Sequence, residues 1–387
     1  MKAPRGRAGR DWFGWLKGLN MKNKAILLTG VTGALGQDVI REVLATGNET
    51  LFLLIRRKKR LSQRDRARKL LAKYGYEDEL GARVYVLEGD VTHLHFGLKE
   101  AEMDVLREKI TDFYHIAALT SLNAAETACN RANVNGTENA LQLAWDLYTN
   151  GELQRFHYFS TAYAVGSLQT YHSYEDSLPE KPVFANFYES SKFIAETKVR
   201  KEMEAGLPAT IFRPSIVVGD SRTGEVSEFN VIYPFLKLFV SGVIKVLPTH
   251  LENPFNIVPI DFVVKASVAI SRQKNSLGKS YHLVSDDPPT IGMILRLKNE
   301  VYPGMPEIKV VDPEEFKASE LNFIGKMAYK MLNPYLGYLN ERLTFDTKNA
   351  HEALDSTDIG FPDTGYDFLK TIVGYAVDAG YLKVTSR

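Results

Sequence analysis

Cysteine is nearly absent. Cys129 stands alone in 387 residues, so no disulfide can form within the chain, and no Cys/His grouping has the spacing of a zinc site. No metal is expected, and the lack of disulfides suits a reducing, cytoplasmic setting. Long apolar runs are missing as well, since none reaches the length of a membrane span. Neither sign of charge is in excess. The formal net charge is +1, which removes any general reason to expect a nucleic-acid partner. The basic opening, MKAPRGRAGRDWFGWLKGLN, lacks the apolar stretch of a secretory signal. Residues 1–20 read as a disordered extension ahead of Met21, or as a short interfacial anchor through Trp12, Phe13, Trp15 and Leu16. With 44% hydrophobic residues and no low-complexity linker, the rest can bury a full α/β core.

The stretch Ala25–Gly36 organises that core. Ala25, Ile26, Leu27 and Leu28 form a short apolar run of the kind buried inside a parallel sheet. They lead into TGVTGALG and then a segment with Val39, Ile40, Val43 and Leu44 at helical spacing. Strand, glycine turn and helix make a seat for a pyrophosphate on backbone N–H groups and a helix N-terminus. Gly30 permits the tight turn, Gly33 the approach of phosphate, and Gly36 close packing of helix on strand. The next apolar run, Glu49–Ile55, ends in Arg56-Arg57-Lys58-Lys59-Arg60. A carboxylate there would bond the ribose hydroxyls of NAD; cations favour the extra phosphate of NADP(H). Arg56 is assigned to that phosphate, and Lys58 onward to a solvated basic loop. A third strand, Arg83–Glu88, runs into Gly89-Asp90-Val91, where Asp90 either accepts from the adenine amino group or caps the turn. The fourth, Phe113–Ala118, ends in small residues, with Ala117 leaving room for a ribose. His115 reads as a packed strand residue and Asn133 as a structural tie.

The chemistry is carried further on. A fifth strand, Gln154–Ser160, is followed by Thr161, and a helix starting near Phe187 carries Tyr188 and Lys192 one turn apart. An ammonium beside a phenol lowers the phenol pKa, so Tyr188 can move a proton to or from a carbonyl oxygen that Thr161 polarises.

Five motifs together resemble the extended short-chain dehydrogenase/reductases: TGVTGALG, GDV at Gly89–Val91, STAYAVG at Ser160–Gly166, YESSK at Tyr188–Lys192 and RPSIVVGDSRTG from Arg213. The resemblance spans roughly residues 22–285 and implies a doubly wound, mostly parallel Rossmann sheet. It assigns Thr161 to carbonyl polarisation, Tyr188 to acid/base work, and Lys192 to the ribose hydroxyls and the tyrosine pKa. Thr32, Leu35 and Val91 join the three glycines as cofactor contacts, with Pro214 and Ile216 against the nicotinamide carboxamide. The Arg-rich second strand, the Ser-Thr-Ala-Tyr loop and RPSIVVGDSRTG are similar to the fatty acyl-CoA reductase and thioester reductase branch. That likeness implies an NADP-dependent reduction of a lipid-like acyl thioester or aldehyde, the substrate apolar and CoA- or carrier-linked. Other readings of the same site are a 3-hydroxy/3-keto dehydrogenase of sterol-like or β-keto lipids, and a nucleotide-sugar epimerase or dehydratase. A cofactor-sensing binding protein is the non-enzymatic alternative.

The expected domains are an NADP-binding unit at 21–285, with a substrate-lobe insertion at about 220–260, and a smaller helical lobe at 286–387. Within the insertion, the apolar stretch between Gly224 and Pro248 is read as core packing or as the wall of an acyl pocket. Asp261 is read as a helix cap. Phe323–Leu343 is amphipathic and reads as a packed helix of the smaller lobe, a lid, or a dock for peripheral membrane contact. Homodimerisation is left open.

Overall fold

The computed structural model describes residues 24–58, 61–166, 170–229 and 232–383. The extension at 1–20, with Met21 after it, lies outside the described residues, as do Lys59 and Arg60 of the basic block.

Seven parallel strands form the central sheet: β1 (Ala25–Thr29), β2 (Thr50–Ile55), β3 (Val84–Glu88), β4 (Asp112–His115), β5 (Arg155–Phe159), β6 (Ala209–Pro214) and β7 (Ser280–Leu283). In space they run β7-β6-β5-β4-β1-β2-β3, so the order reverses between β1 and β4. In such a sheet the crevice beyond the carboxyl ends of β1 and β4 is where a ligand is expected. Register is set by burial, since β1, β2, β4, β5 and β6 are buried at every residue. Fully burying each Leu, Ile or Phe of these strands contributes about 1.5–3 kcal/mol.

Helices cover both faces. On one side α1 (Ala34–Thr46) and α7 (Ile260–Ser271) meet through Val39, Ile40, Val43, Val263 and Ala266. On the other, α3 (Glu100–Lys109), α4 (Gly136–Thr149) and α5 (Phe187–Glu204) bury Leu106, Leu143, Ala144, Ala195 and Val199. A third core holds α6 (Ile232–Val240), α8 (Ile291–Val301), α9 (Phe323–Asn340) and α11 (Tyr366–Asp378) around Phe235, Phe239, Leu332 and Ile372. The last hundred residues do not stay in that third core: Ala350, Ala353 and Leu354 of α10 (Lys348–Leu354) pack with α7 and β7. Arg342–Phe345 also runs parallel to Thr170–Ser173, joining the C-terminal segment to the loop after β5.

One local reading is corrected and another is resolved. Asp261 is not a cap: it lies inside the first turn of α7, and its carboxylate accepts from the backbone N–H and hydroxyl of Ser221 (both 2.8 Å), fixing the loop after β6. Of the apolar stretch between Gly224 and Pro248, both readings hold in part: Ile232–Val240 packs into the third core, while Val226 lines the cleft described below. Among the described residues, no helix is long and apolar enough to cross a membrane.

Candidate active site

One cleft of about 600 Å³ runs over the carboxyl ends of β1, β4, β5 and β6. Every residue singled out from the sequence lines it: Gly30, Thr32, Gly33, Leu35 and Gly36 at the turn, Arg56, Asp90, Val91 and Ala117 toward β2 and β3, and Thr161, Tyr188, Lys192, Pro214 and Ile216 at the other end.

The turn is shaped by sterics. Gly30 has φ +72°, and a Cβ there would stand 2.6 Å from the backbone nitrogen of Ala117; at Gly36 it would meet the Gly30 carbonyl at 2.3 Å. Neither position accepts a side chain. Gly33 differs, because the protein leaves its face open, with only the Gly30 carbonyl at 3.5 Å. Gly33 is also the N-cap of α1, with no side-chain cap and no acid in the first turn. The positive end of α1 therefore faces the cleft with N–H groups free for an anion.

Beyond β2, Arg56 lies 3.8 Å from the Asp90 carboxylate. Asp90 also accepts from Thr92 N at 3.0 Å, so it does cap its turn while facing the cleft. Burial opposes its charge, but Thr92 and Arg56 hold the carboxyl below its usual range. The sequence reading missed a second guanidinium. Arg66, on α2 (Gln63–Lys73), donates to the Arg56 carbonyl at 2.6 Å and lines the cleft, as does Lys58, which had been given to a solvated loop. Burial and then neighbouring Arg56 lower the Arg66 pKa. Two cations thus crowd one end of the cleft, an arrangement that a doubly negative group would relieve.

At the other end α5 fixes the reacting groups. Asn186 caps it by accepting from Glu189 N (3.0 Å), and Glu189 reaches back to accept from Ala185 N (3.0 Å). This reciprocal cap sets the helix start at Phe187, one residue before Tyr188. Asn133 ties the loop after β4 to the same helix, bonding both backbone groups of Leu119 and the Ser191 hydroxyl. His115 is buried, bonded to Thr29 at 2.9 Å and pushed down to about 3 by burial and then by Lys192, as suits a packed residue.

Thr161 and Tyr188 are brought together in the cleft, where Thr161 Oγ1 donates to the Pro214 carbonyl (3.3 Å). Lys192 is not turned to Tyr188. Its ammonium donates to the Tyr158 hydroxyl (2.8 Å) and the Phe159 carbonyl (2.7 Å) on β5. The expected lowering of the phenol pKa is therefore corrected. Burial pushes Tyr188 up to about 12, against a downward pull from Thr161, and Lys192 has no part in the balance. The phenol stays protonated at neutral pH and is an acid awaiting a base.

The dimensions fit a dinucleotide, with an anion seat at the turn, a cationic end, and a hydroxyl pair at the far end. One buried atom points the same way. Ser215, between Pro214 and Ile216, lines the cleft, and its hydroxyl has no hydrogen-bond partner among the described residues. A ligand amide would satisfy it. Tyr163 and Tyr338, edge to face at 4.8 Å, together with Leu122 and Val226, wall the cleft near Tyr188 with apolar surface. Tyr338 arrives from α9, more than a hundred residues beyond the motifs, so no local pattern could have placed it there.

Comparison with known proteins agrees with this geometry. A family model described as Male sterility protein, of NAD-binding type, matches residues 28–267. The terminal R domain from the myxalamid PKS-NRPS biosynthetic pathway superposes with a TM-score of 0.79 at 27% identity, over 95% of this chain and 94% of that one. A linear gramicidin synthase chain of Brevibacillus parabrevis is 25% identical over 379 residues, 94% of this chain but 7% of that protein. The L-2-aminoadipate reductase large subunit of Candida glabrata is 30% identical over 268 residues, 64% of this chain and 19% of that protein. The chain thus spans a small part of these longer relatives. It belongs to the Male sterility protein family of NAD(P)-binding, reductase-type domains, within the extended short-chain dehydrogenase/reductases.

Proposed function

We propose that the chain is an NADPH-dependent reductase of acyl thioesters, CoA- or carrier-linked, whose acyl part is apolar. The observation that carries the reading is the Thr161–Tyr188 hydroxyl pair, set in the same cleft as the uncapped N-terminus of α1 and the Arg56/Arg66 pair. In this reading the N–H groups at Ala34, Leu35 and Gly36 bind the pyrophosphate across the open face of Gly33, Arg56 and Arg66 bind the 2′-phosphate, and Ser215 accepts or donates to the carboxamide. The reduced nicotinamide, when bound, supplies a hydride to the carbonyl carbon.

The protein's own groups handle the oxygen. Thr161 and Tyr188 both hydrogen-bond it, and charge developing there meets donors already in place. Tyr188 gives up its proton to that oxygen, and a phenol with its pKa near 12 is in the donating form at any physiological pH. As the carbonyl reforms, the carbon–sulfur bond breaks, thiol leaves with a proton, and aldehyde remains. The relatives lend support in their printed names, which describe a reductase of aminoadipate and a terminal domain of a PKS-NRPS pathway. A cytoplasmic location is proposed with the function.

The test is NADPH consumption by the full chain against acyl-CoA, a carrier-bound acyl thioester, an aldehyde and a β-keto lipid, with products identified. Thiol release matched to NADPH oxidation is the expected outcome. Turnover confined to ketones would move the assignment to a 3-keto dehydrogenase, and binding of NADPH without any turnover would move it to a sensor.

A further inference from the structure

Lys192 is an ammonium buried to 2% exposure with no carboxylate bonded to it. What holds it is β5. Its Nζ donates to Tyr158 Oη and Phe159 O, and it sits 4.4 Å from the centroid of the Tyr158 ring. An ammonium has three donors, so one is left for the cleft that Lys192 lines.

Tyr158 is itself held. It is fully buried, with Thr137 and Ser160 beside its hydroxyl, and burial pushes the phenol well above its usual range. From there a chain of side chains runs both ways. Ser160 Oγ donates to Glu196 at 2.6 Å, and Glu196 is clamped by Arg213 and Arg200. On the other side Thr137 meets His115 Nε2 (3.4 Å), and His115 Nδ1 meets Thr29 Oγ1 (2.9 Å), which accepts from Ile116 N and Ala117 N. Glu196, ionised against two arginines, can only accept, so the Ser160 proton is committed to it. Tyr158 Oη accepts from Lys192 and so faces the ammonium with a lone pair.

We infer that Tyr158 is the positioning residue of this site, a fixed acceptor that keeps Lys192 charged and aims its third N–H into the cleft. It acts through Lys192 and touches no reactant. The inference rests on the proposed function, with Lys192 holding the cofactor's ribose hydroxyls as the resemblance implies, but it can fail independently of it. Burial, against an upward pull from Glu196, pushes Lys192 down to about 7, so the loss of one acceptor falls on a group already near its midpoint at neutral pH. The ionisable neighbours are Tyr188 and Glu196 on α5, Tyr158 on β5 and His115 on β4, with Arg213 and Arg200 across Glu196 and Cys129 beside Tyr188.

The experiment follows Lys192 directly by NMR in the full chain labelled with 13C at the lysine ε-carbon, without added cofactor. The signal is assigned by its loss in Lys192→Met. Tyr158→Phe keeps the ring and removes the acceptor. The Lys192 midpoint is expected to fall by about one pH unit, a tenfold change in the charged-to-neutral ratio. 3-Fluorotyrosine at position 158 keeps the ring and weakens the oxygen as an acceptor; it moves the midpoint the same way by less, and it decides the matter if Tyr158→Phe does not fold. The alkaline limb of kcat/KM for NADPH oxidation shifts in parallel. A midpoint unmoved in the variants that fold overturns the inference. Full reductase activity in Lys192→Met would instead remove Lys192 from the proposed mechanism and leave the titration result standing.

Discussion

On the proposed reading, replacing Arg56 by Gln should weaken recognition of the 2′-phosphate that distinguishes NADPH from NADH. The Arg56 side chain is 67% exposed, so a water-like dielectric applies. At about 4 Å such a charge pair is worth roughly 1 kcal/mol, and a phosphate near two negative charges roughly doubles that. The Asp90 carboxylate, 3.8 Å away, already holds part of the Arg56 field, and releasing it offsets roughly half the gain. The net is about 1–1.5 kcal/mol, or roughly a tenfold rise in KM for NADPH with KM for NADH unchanged. Arg66 is partly buried and held to the Arg56 carbonyl, so its charge is less screened. Arg56→Gln/Arg66→Gln should therefore raise the NADPH KM by about a hundredfold. Steady-state kinetics with both cofactors across an ionic-strength series measures this, and the parent's preference for NADPH should shrink as the Debye length falls from about 10 Å to about 3 Å. A double variant that loses NADPH and NADH affinity alike, or keeps its preference, refutes the reasoning.

Three more outcomes are expected. Although burial works against it, Glu196 is held down to about 2 by Arg213, Arg200 and Ser160. Its contribution, roughly 3 kcal/mol, is present in full above the unfolded carboxylate range near 4.5 and is lost as pH falls toward 2. Glu196→Gln, which strands the fully buried Arg213, should cost about 3–5 kcal/mol in urea unfolding at neutral pH and flatten the acid dependence; a loss under 1 kcal/mol counts against the pair. Gly30→Ala combines a left-handed φ with a 2.6 Å clash, and should cost about 2–4 kcal/mol and weaken NADPH binding in a fluorescence titration, whereas intact binding would contradict the seat at the turn. Tyr338→Ala should change the ratio of kcat/KM for long over short acyl chains, and an unchanged ratio removes Tyr338 from the substrate wall.

Much of the site was legible because its parts are local in sequence. The turn at Gly30–Gly36, Arg56 at the end of β2, and Tyr188 one turn before Lys192 are each set by a strand end or a helical period, and the parallel sheet then brings strand ends to one edge. What escaped depends on pairings between distant elements. Arg66 lies ten residues past Arg56 on a helix whose rotation no motif specifies. The partner of Lys192 is on β5, across 34 residues, and only the packing of α5 on that strand decides that the ammonium faces Tyr158 rather than Tyr188. Asp261 looked like a cap because it precedes an apolar helical run, but α7 begins at Ile260, which frees the carboxylate to hold Ser221. For the run at 232–240 composition alone left core and pocket wall open, and the surrounding aromatic residues drew it inward.

The most direct test of the account is a single-turnover comparison of the full chain with Tyr188→Phe, following loss of reduced-nicotinamide absorbance after mixing with a long-chain acyl thioester. The account predicts NADPH binding as in the parent and a hydride step slowed by about 10²–10⁴. An undiminished rate in Tyr188→Phe would contradict it.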